Sequence, residues 1–378
     1  VRLLSVIPVL GAGGAEVVAT TLAVDARRRG HEVRIASAGG FRADEVVAAG
    51  VPHHAVRLDS RRAVDLTSSV RALRRLRRGW APDVVHAHNV KAAVVARLAV
   101  GGSAPVVTTL HGVPDGELAT GARLLRRTSD HVVAVSLHVA DGLVEHGFPA
   151  ARVSVIENAV TPPPRRDREQ ARLRLGIAPG AVVGLCLARL ATQKRHDLLV
   201  RAWERLPAGS VLLLAGDGPT RGAVERQVAQ GTGDIRLLGE RTDADWLLAA
   251  ADFLVLPTDW EGLPISLLEA MSLGLPVVVS RVGGVLETLG DGVRLVEPGS
   301  ADALAVALID LTTDPVARRR LGLRGRELVA QRFHLAPMLD AYAATYDEAL
   351  RERRVTGAVP DQLVDAALRR AVHDGLPR

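Results

Sequence analysis

Residues 258–280 read TDWEGLPISLLEAMSLGLPVVVS, and this stretch decides the fold of the chain around it. An apolar run at 253–256 leads into Thr258, Asp259 and Trp260, and Glu261-Gly262-Leu263-Pro264 then breaks it as a turn. From Ile265 the spacing is helical, through Glu269 to Leu273, with Gly274 as the stop and Pro276 beyond it. A second apolar run at 277–280 follows at once. Strand, turn, short helix and strand make one βαβ unit, and such units build parallel sheets. Pro264 stands just before or at the first helical turn, where a missing N–H is tolerated. The free amides of that turn form an anion site suited to a diphosphate.

The same alternation extends in both directions. Strand candidates at 182–188, 211–215, 235–238, 253–256, 277–280 and 293–296 are separated by predicted helices at 198–205, 220–230, 245–250, 265–272 and 302–311. Upstream, strand candidates at 2–9, 33–37, 54–57, 84–88, 106–110, 131–135 and 153–156 alternate with amphipathic stretches such as 15–29, 66–78 and 91–100. The two series are divided by TPPPRRD (161–167), a proline-rich, charged linker. Beyond Arg332 a helical pattern at 337–353 carries Leu339, Tyr342, Ala343 and Tyr346, and a further short helix is predicted at 360–372. The expected fold class is therefore α/β, with two facing Rossmann-like doubly wound domains at 1–163 and 164–335. C-terminal helices at 336–378 cross back onto the first domain. A ligand is expected in the interdomain cleft, at the carboxyl ends of the strands.

Composition narrows the function. Aromatics are 3% of the residues, too few for a stacked carbohydrate-binding platform or a single-strand nucleic-acid binder, so no nucleic-acid partner is expected. The one cysteine, Cys186, forms neither an intrachain disulfide nor a thiolate zinc site and fits a reducing, cytoplasmic setting. The apolar start after Arg2 reads as a first buried strand rather than a signal peptide, having one cation ahead of it and no A-x-A site. No run of ~18 apolar residues predicts a membrane span. The net charge is +6, carried almost wholly by arginine, and it favours acidic ligands without selecting one.

The Glu261–Glu269 spacing, embedded in its strand, EGLP turn and LLEAM helix, resembles the E-x7-E motif of retaining GT-B glycosyltransferases of the large family-4 group. That resemblance places Glu261 at the donor sugar, Glu269 at the ribose hydroxyls, and the Gly262 and Leu263 amides at the diphosphate. LCLARLATQKRHDLL (185–199) resembles the family's diphosphate clamp, giving Arg189 and Lys194 that role; Arg195 stands where family members often carry glycine. Asp197 reads as an N-cap of the next helix. Turn chemistry alone explains GDGP within LLLAGDGP (212–219), and the resemblance adds proximity of Gly216 and Gly218 to the nucleotide. RLLGER (236–241) resembles the strand end where the base docks. GAGGAE (11–16) falls short of a dinucleotide fingerprint and resembles the family's GGAE turn, with Gly13 and Gly14 near the donor. VVHAHN (84–89), TLHG (109–112), VVAVS (132–136) and VIENAV (155–160) follow in family order, and His111 resembles the histidine beside the donor sugar. The last of these departs from the usual proline-asparagine-glycine form.

The resemblance implies a nucleotide diphosphate-sugar donor as a substrate, no cofactor, and transfer to a hydroxyl acceptor that is a small molecule, a lipid or an envelope glycan. Loops at 41–45 and 113–118 are expected to shape the acceptor pocket. Asp243-Ala244-Asp245 mimics a metal-binding D-x-D, but its place before a helix reads as capping, so no metal is expected. Arg71, Arg74, Arg75 and Arg78 share one helix face, which reads as solvated. The alternative is peripheral contact with an anionic inner membrane face, or with a phosphorylated acceptor. A sugar-nucleotide epimerase of the same architecture and a non-catalytic nucleotide-sugar-binding protein are the rival functions.

Overall fold

The computed structural model describes residues 1–60 and 62–356; the helix expected at 360–372 lies outside them. The described residues divide into two units, 1–157 with 336–356, and 158–335. The expected linker is part of an irregular stretch at 156–167.

The first unit contains seven strands: β1 (Arg2–Val6), β2 (Glu32–Ser37), β3 (His53–Ala55), β4 (Val84–Ala87), β5 (Val106–Leu110), β6 (His131–Ala134) and β7 (Val153–Val155). They pair in the order β3-β2-β1-β4-β5-β6-β7, parallel throughout. The second unit contains β8 (Val182–Leu187), β9 (Ser210–Ala215), β10 (Asp234–Gly239), β11 (Phe253–Leu256), β12 (Val277–Ser280) and β13 (Arg294–Val296). Their order is β10-β9-β8-β11-β12-β13, again parallel. Both are doubly wound Rossmann-like sheets, whose strand order reverses between β1 and β4 and between β8 and β11. Every residue of β4, β5 and β11 is buried, which is why these strands read as unbroken apolar runs rather than alternating ones.

Five helices in the structure carried no sequence assignment: Arg42–Ala48, Asp115–Thr128, Leu137–Glu145, Gly283–Leu289 and Pro315–Arg332. The segments expected as acceptor loops at 41–45 and 113–118 are in fact where the first two begin, after Phe41 and Pro114, neither of which bonds as a side-chain cap. Pro315–Arg332 did have a legible start, since Asp314 accepts from the Val316 and Ala317 amides ahead of an N1 proline. The final helix, Leu335–Thr356, buries Met338, Tyr342, Tyr346 and Ala349, a stripe at helical spacing. Its Tyr346 and Tyr342 hydroxyls bond His86 Nδ1 (2.8 Å) and Thr109 Oγ1 (3.1 Å), and Asp340 pairs with Arg29 at 2.7 Å. No helix among the described residues is long and apolar enough to cross a membrane.

Candidate active site

In the second unit the loops after β8 and β11 flank the point where strand order reverses. Gln193 ties them together: its carbonyl accepts from the Asp259 amide (2.9 Å) and its side-chain amide donates to the Trp260 carbonyl (2.7 Å). The Thr258 amide donates to Ser280 Oγ at the end of β12 (2.8 Å), which anchors the second loop to the next strand. These bonds bring Lys194 Nζ onto Glu261 Oε1 as an ion pair whose side chains are 17% and 8% exposed, so solvent screens it weakly. Thr258 Oγ1 lies 3.0 Å from the same carboxylate oxygen, and 3.2 and 3.1 Å from the Gln193 and Trp260 carbonyls, and it donates to one of the three at a time.

The turn that follows is buried. The Leu263 carbonyl accepts from Asn158 Nδ2 at 2.7 Å, and Asn158 is itself only 3% exposed. The Gly262 and Leu263 amides enter no backbone hydrogen bond among the described residues, and they immediately precede the helix Ile265–Ser272. That arrangement suits an anion. Glu269 lies within the helix, half-buried, so the two glutamates occupy different elements, as expected.

Gly216 and Gly218 follow β9 with φ of 145° and 158°. A Cβ on Gly216 would stand 2.1 Å from the Ala188 carbonyl oxygen, and one on Gly218 would stand 2.3 Å from that of Leu190. Both glycines are therefore required by the close approach of the loop after β8, whatever binds there. Arg189 is exposed and has no carboxylate partner among the described residues, so the structure joins Lys194, and not Arg189, to Glu261. Arg195 adopts φ 45°, the conformation that glycine enters freely. It is held there by both oxygens of Asp197 (3.1 Å each) and by Asp259 (3.0 Å).

Two capping assignments need correction. The residue preceding the helix His196–Trp203 is Arg195, and Asp197 lies inside the first turn, paired with Arg195. Asp243 does precede Ala244–Ala250, but its side chain makes no cap bond and instead takes both donors of Arg241 (2.7 and 2.6 Å). Asp245 pairs with Arg166 at 2.6 Å. Its other oxygen accepts from the Trp246 amide at 3.0 Å, so of the two acids only Asp245 bonds an amide of the helix start, while Asp243 takes the charged, bidentate partner, which bonds more strongly. No cluster of metal-ligating side chains occurs among the described residues.

In the first unit, Gly13 precedes the helix Gly14–Arg28, and a Cβ there would meet the flexible end of Glu16 rather than backbone. His111 follows β5, and neither ring nitrogen has a partner although both are shielded from solvent. Its ring stacks on His88 (centroids 5.8 Å, planes 16° apart), which in turn lies 4.1 Å from His86. Burial lowers the His111 pKa to about 4, so the ring is neutral near pH 7. His88 bonds Ser5 Oγ (3.1 Å), and His86 Nε2 bonds Thr109 Oγ1 (2.8 Å). Arg71, Arg74, Arg75 and Arg78 are all exposed on the helix Ala63–Gly79, but Arg74 is committed to the Leu98 carbonyl (3.1 and 2.9 Å).

Gln193, Thr258, Ser280 and Asn158 were not singled out from sequence as site residues. Each bonds a residue distant in sequence, as Asn158 does across 105 positions to Leu263, and no local spacing announces that.

Comparison with known proteins gives the family. Residues 12–162 match the family described as Glycosyltransferase Family 4, and residues 181–314 match Glycosyl transferases group 1. The chain is 28% identical to the N-acetyl-alpha-D-glucosaminyl L-malate synthase of Bacillus anthracis over 90% of its length and 95% of the relative's. It is 30% identical to a glycogen synthase of Mycobacterium tuberculosis over 75% of each. Among solved structures, Anabaena HepE in complex with UDP-glucose has a TM-score of 0.81 at 22% identity, covering 92% of this chain and 99% of that one. WaaG, a glycosyltransferase involved in lipopolysaccharide biosynthesis, has a TM-score of 0.75 at 18% identity, covering 91% and 99%. The structural likenesses bear on the fold, and the sequence matches carry the family: the chain belongs to the glycosyltransferases of group 1 and family 4, built on the GT-B fold.

Proposed function

We propose that the protein is a retaining, metal-independent glycosyltransferase that moves a sugar from a nucleotide diphosphate-sugar to an acceptor hydroxyl. The observation that carries this reading is the buried Glu261 carboxylate, gripped by Lys194 and Thr258 beside the unpaired Gly262 and Leu263 amides. The UDP and UDP-glucose complexes of HepE support a donor of this class. In the proposed reaction the amides, Lys194 and Arg189 take up charge on the departing diphosphate. Glu261 faces the sugar and Glu269 the ribose, with Gly216 and Gly218 bordering the nucleotide. The family resemblance also assigns donor-side roles to Gly13, Gly14 and His111, and a neutral His111 ring can both donate and accept a hydrogen bond. The bond from the anomeric carbon to phosphate oxygen breaks, the acceptor oxygen bonds the same face, and its proton passes to the departing phosphate. The acceptor is a hydroxyl of a small molecule, lipid or envelope glycan, and any membrane contact is peripheral.

Incubation of the purified protein with UDP-, GDP- and dTDP-sugars, across an acceptor panel, tests the reading. Nucleotide release coupled to an acceptor glycoside of unchanged anomeric configuration is expected, and EDTA should leave the rate intact. Glu261→Ala should lower kcat by about 100-fold or more, the scale of losing a transition-state contact, whereas Glu269→Ala should mainly raise the donor KM. An inverted product or a strict metal requirement would overturn the mechanism. Isomerised sugar nucleotide without transfer would make the protein an epimerase, and binding without turnover would make it a sensor.

A further inference from the structure

A surface groove of about 410 Å³ lies in the first unit, between the edge strand β3 and the helix Ala63–Gly79. Its polar lining is Arg34, His54 and Arg75, its apolar wall includes Val56, Leu73 and Leu76, and no carboxylate lines it. Arg34 is preset, with its guanidinium 4.6 Å from the centre of the Trp80 ring. That ring is fixed by Trp80 Nε1 donating to Glu32 at 3.0 Å. Neither Arg34 nor Arg75 pairs with a carboxylate among the described residues, whereas Arg2, Arg42 and Arg195 each do. His54 Nε2 is shielded from solvent and has no hydrogen-bond partner. Burial, then the charges of Arg34 and of neighbouring His53, hold the His54 pKa below its usual value.

Two unpaired guanidiniums and an unpaired imidazole nitrogen, with no acid among them, form a donor set that lacks an anion. Planar, forked donors match phosphate oxygens, which accept several such bonds at once. The apolar wall adds room for an organic substituent, and the volume falls within the range of small-molecule sites. We propose that this groove binds a phosphate ester, its phosphoryl oxygens held by Arg34, Arg75 and His54 and its organic part lying along Val56, Leu73 and Leu76. The groove shares no residue with the Glu261 machinery, and its test does not depend on glycosyl transfer.

The experiment is NMR of the full chain labelled at histidine, with the His54 ring signal assigned through His54→Gln. Titrants are inorganic phosphate, hexyl phosphate and hexanol. Hexyl phosphate should shift the His54 signal saturably and more tightly than inorganic phosphate, and hexanol should leave it unmoved. Arg75→Gln should weaken hexyl phosphate binding by about tenfold, the effect of losing one hydrogen bond between charged groups. Arg75 is exposed and makes no ion pair among the described residues, so this variant keeps the test valid even if Arg34→Gln, which loses the Trp80 contact, fails to fold. Cosedimentation with phosphatidylcholine vesicles, with and without phosphatidic acid, separates the sources. Binding that requires phosphatidic acid and is reduced in R75Q assigns a lipid headgroup, and its absence alongside hexyl phosphate binding assigns a soluble ester. A stationary His54 signal, or equal affinity in wild type and R75Q, overturns the proposal.

Discussion

Arg195 is the one non-glycine residue at positive φ among the described residues, and it stands directly after the lysine that grips Glu261. A side chain in this region costs about 1–2 kcal/mol. Its bonds to Asp197 and Asp259 raise its own pKa, but all three side chains are partly exposed, and each such pair is worth about 1 kcal/mol or less. Arg195→Gly removes strain and ion pairs together and should leave stability within about 1 kcal/mol of wild type. Arg195→Ala keeps the strain and loses the pairs, so it should unfold at clearly lower urea, by about 1–2 kcal/mol. Equal urea midpoints for the two variants would sink this account. At this scale the sequence was readable where chemistry sits in residue type: Glu261 and Lys194, 67 positions apart, were both named beforehand and are in contact. It was unreadable where the role is to bond a distant carbonyl, as Gln193 and Asn158 do.

Elements were legible by period and less so by edge. The thirteen strands among the described residues overlap those expected, most plainly at β4, β5 and β11, where a strand buried on both faces is an unbroken apolar run; the edge strand β3, His-His-Ala, is partly exposed and has no such run. Helices such as Asp115–Thr128, which lack a bonding N-cap, left no start signal to read. The helix Pro315–Arg332 shows why local propensity is a poor guide to its fit. Gly322 lies in its interior, where alanine would favour the helix by about 1 kcal/mol. Yet a Cβ there would stand 2.0 Å from the Gly274 carbonyl oxygen, at the end of the helix that carries Glu269. Packing should outweigh propensity: Gly322→Ala is expected to destabilise the second unit by about 1–3 kcal/mol, the usual range for overpacking. A raised thermal midpoint in that variant would show that the contact yields. Displacement of Gly274 should also raise the donor KM through the Ile265–Ser272 helix.

Across the whole molecule, four buried histidines share one linkage. Burial lowers His86 to about 3, His111 and His196 to about 4, and His88 well below its usual value. Unfolded, each binds a proton near pH 6.5, whereas the folded chain leaves them neutral. Their contribution to stability is complete above pH 6.5 and is lost progressively as pH falls through 6.5 toward 4. Urea midpoints should therefore drop between pH 7 and pH 5, above the range where ordinary carboxylates titrate. A flat profile over that interval would refute the linkage. That both sheets are parallel follows from alternating strands and helices and was open to sequence reasoning; the order in which the strands pair was not, because alternation alone fits more than one order. Residues 158–335 interrupt a unit whose remaining pieces lie on either side in the chain. A ribosome therefore completes the entire second unit before it makes Tyr342 and Tyr346. Until those phenols emerge, His86 Nδ1 and Thr109 lack their hydroxyl partners, so the unit whose translation begins first cannot be completed before the last helix is made.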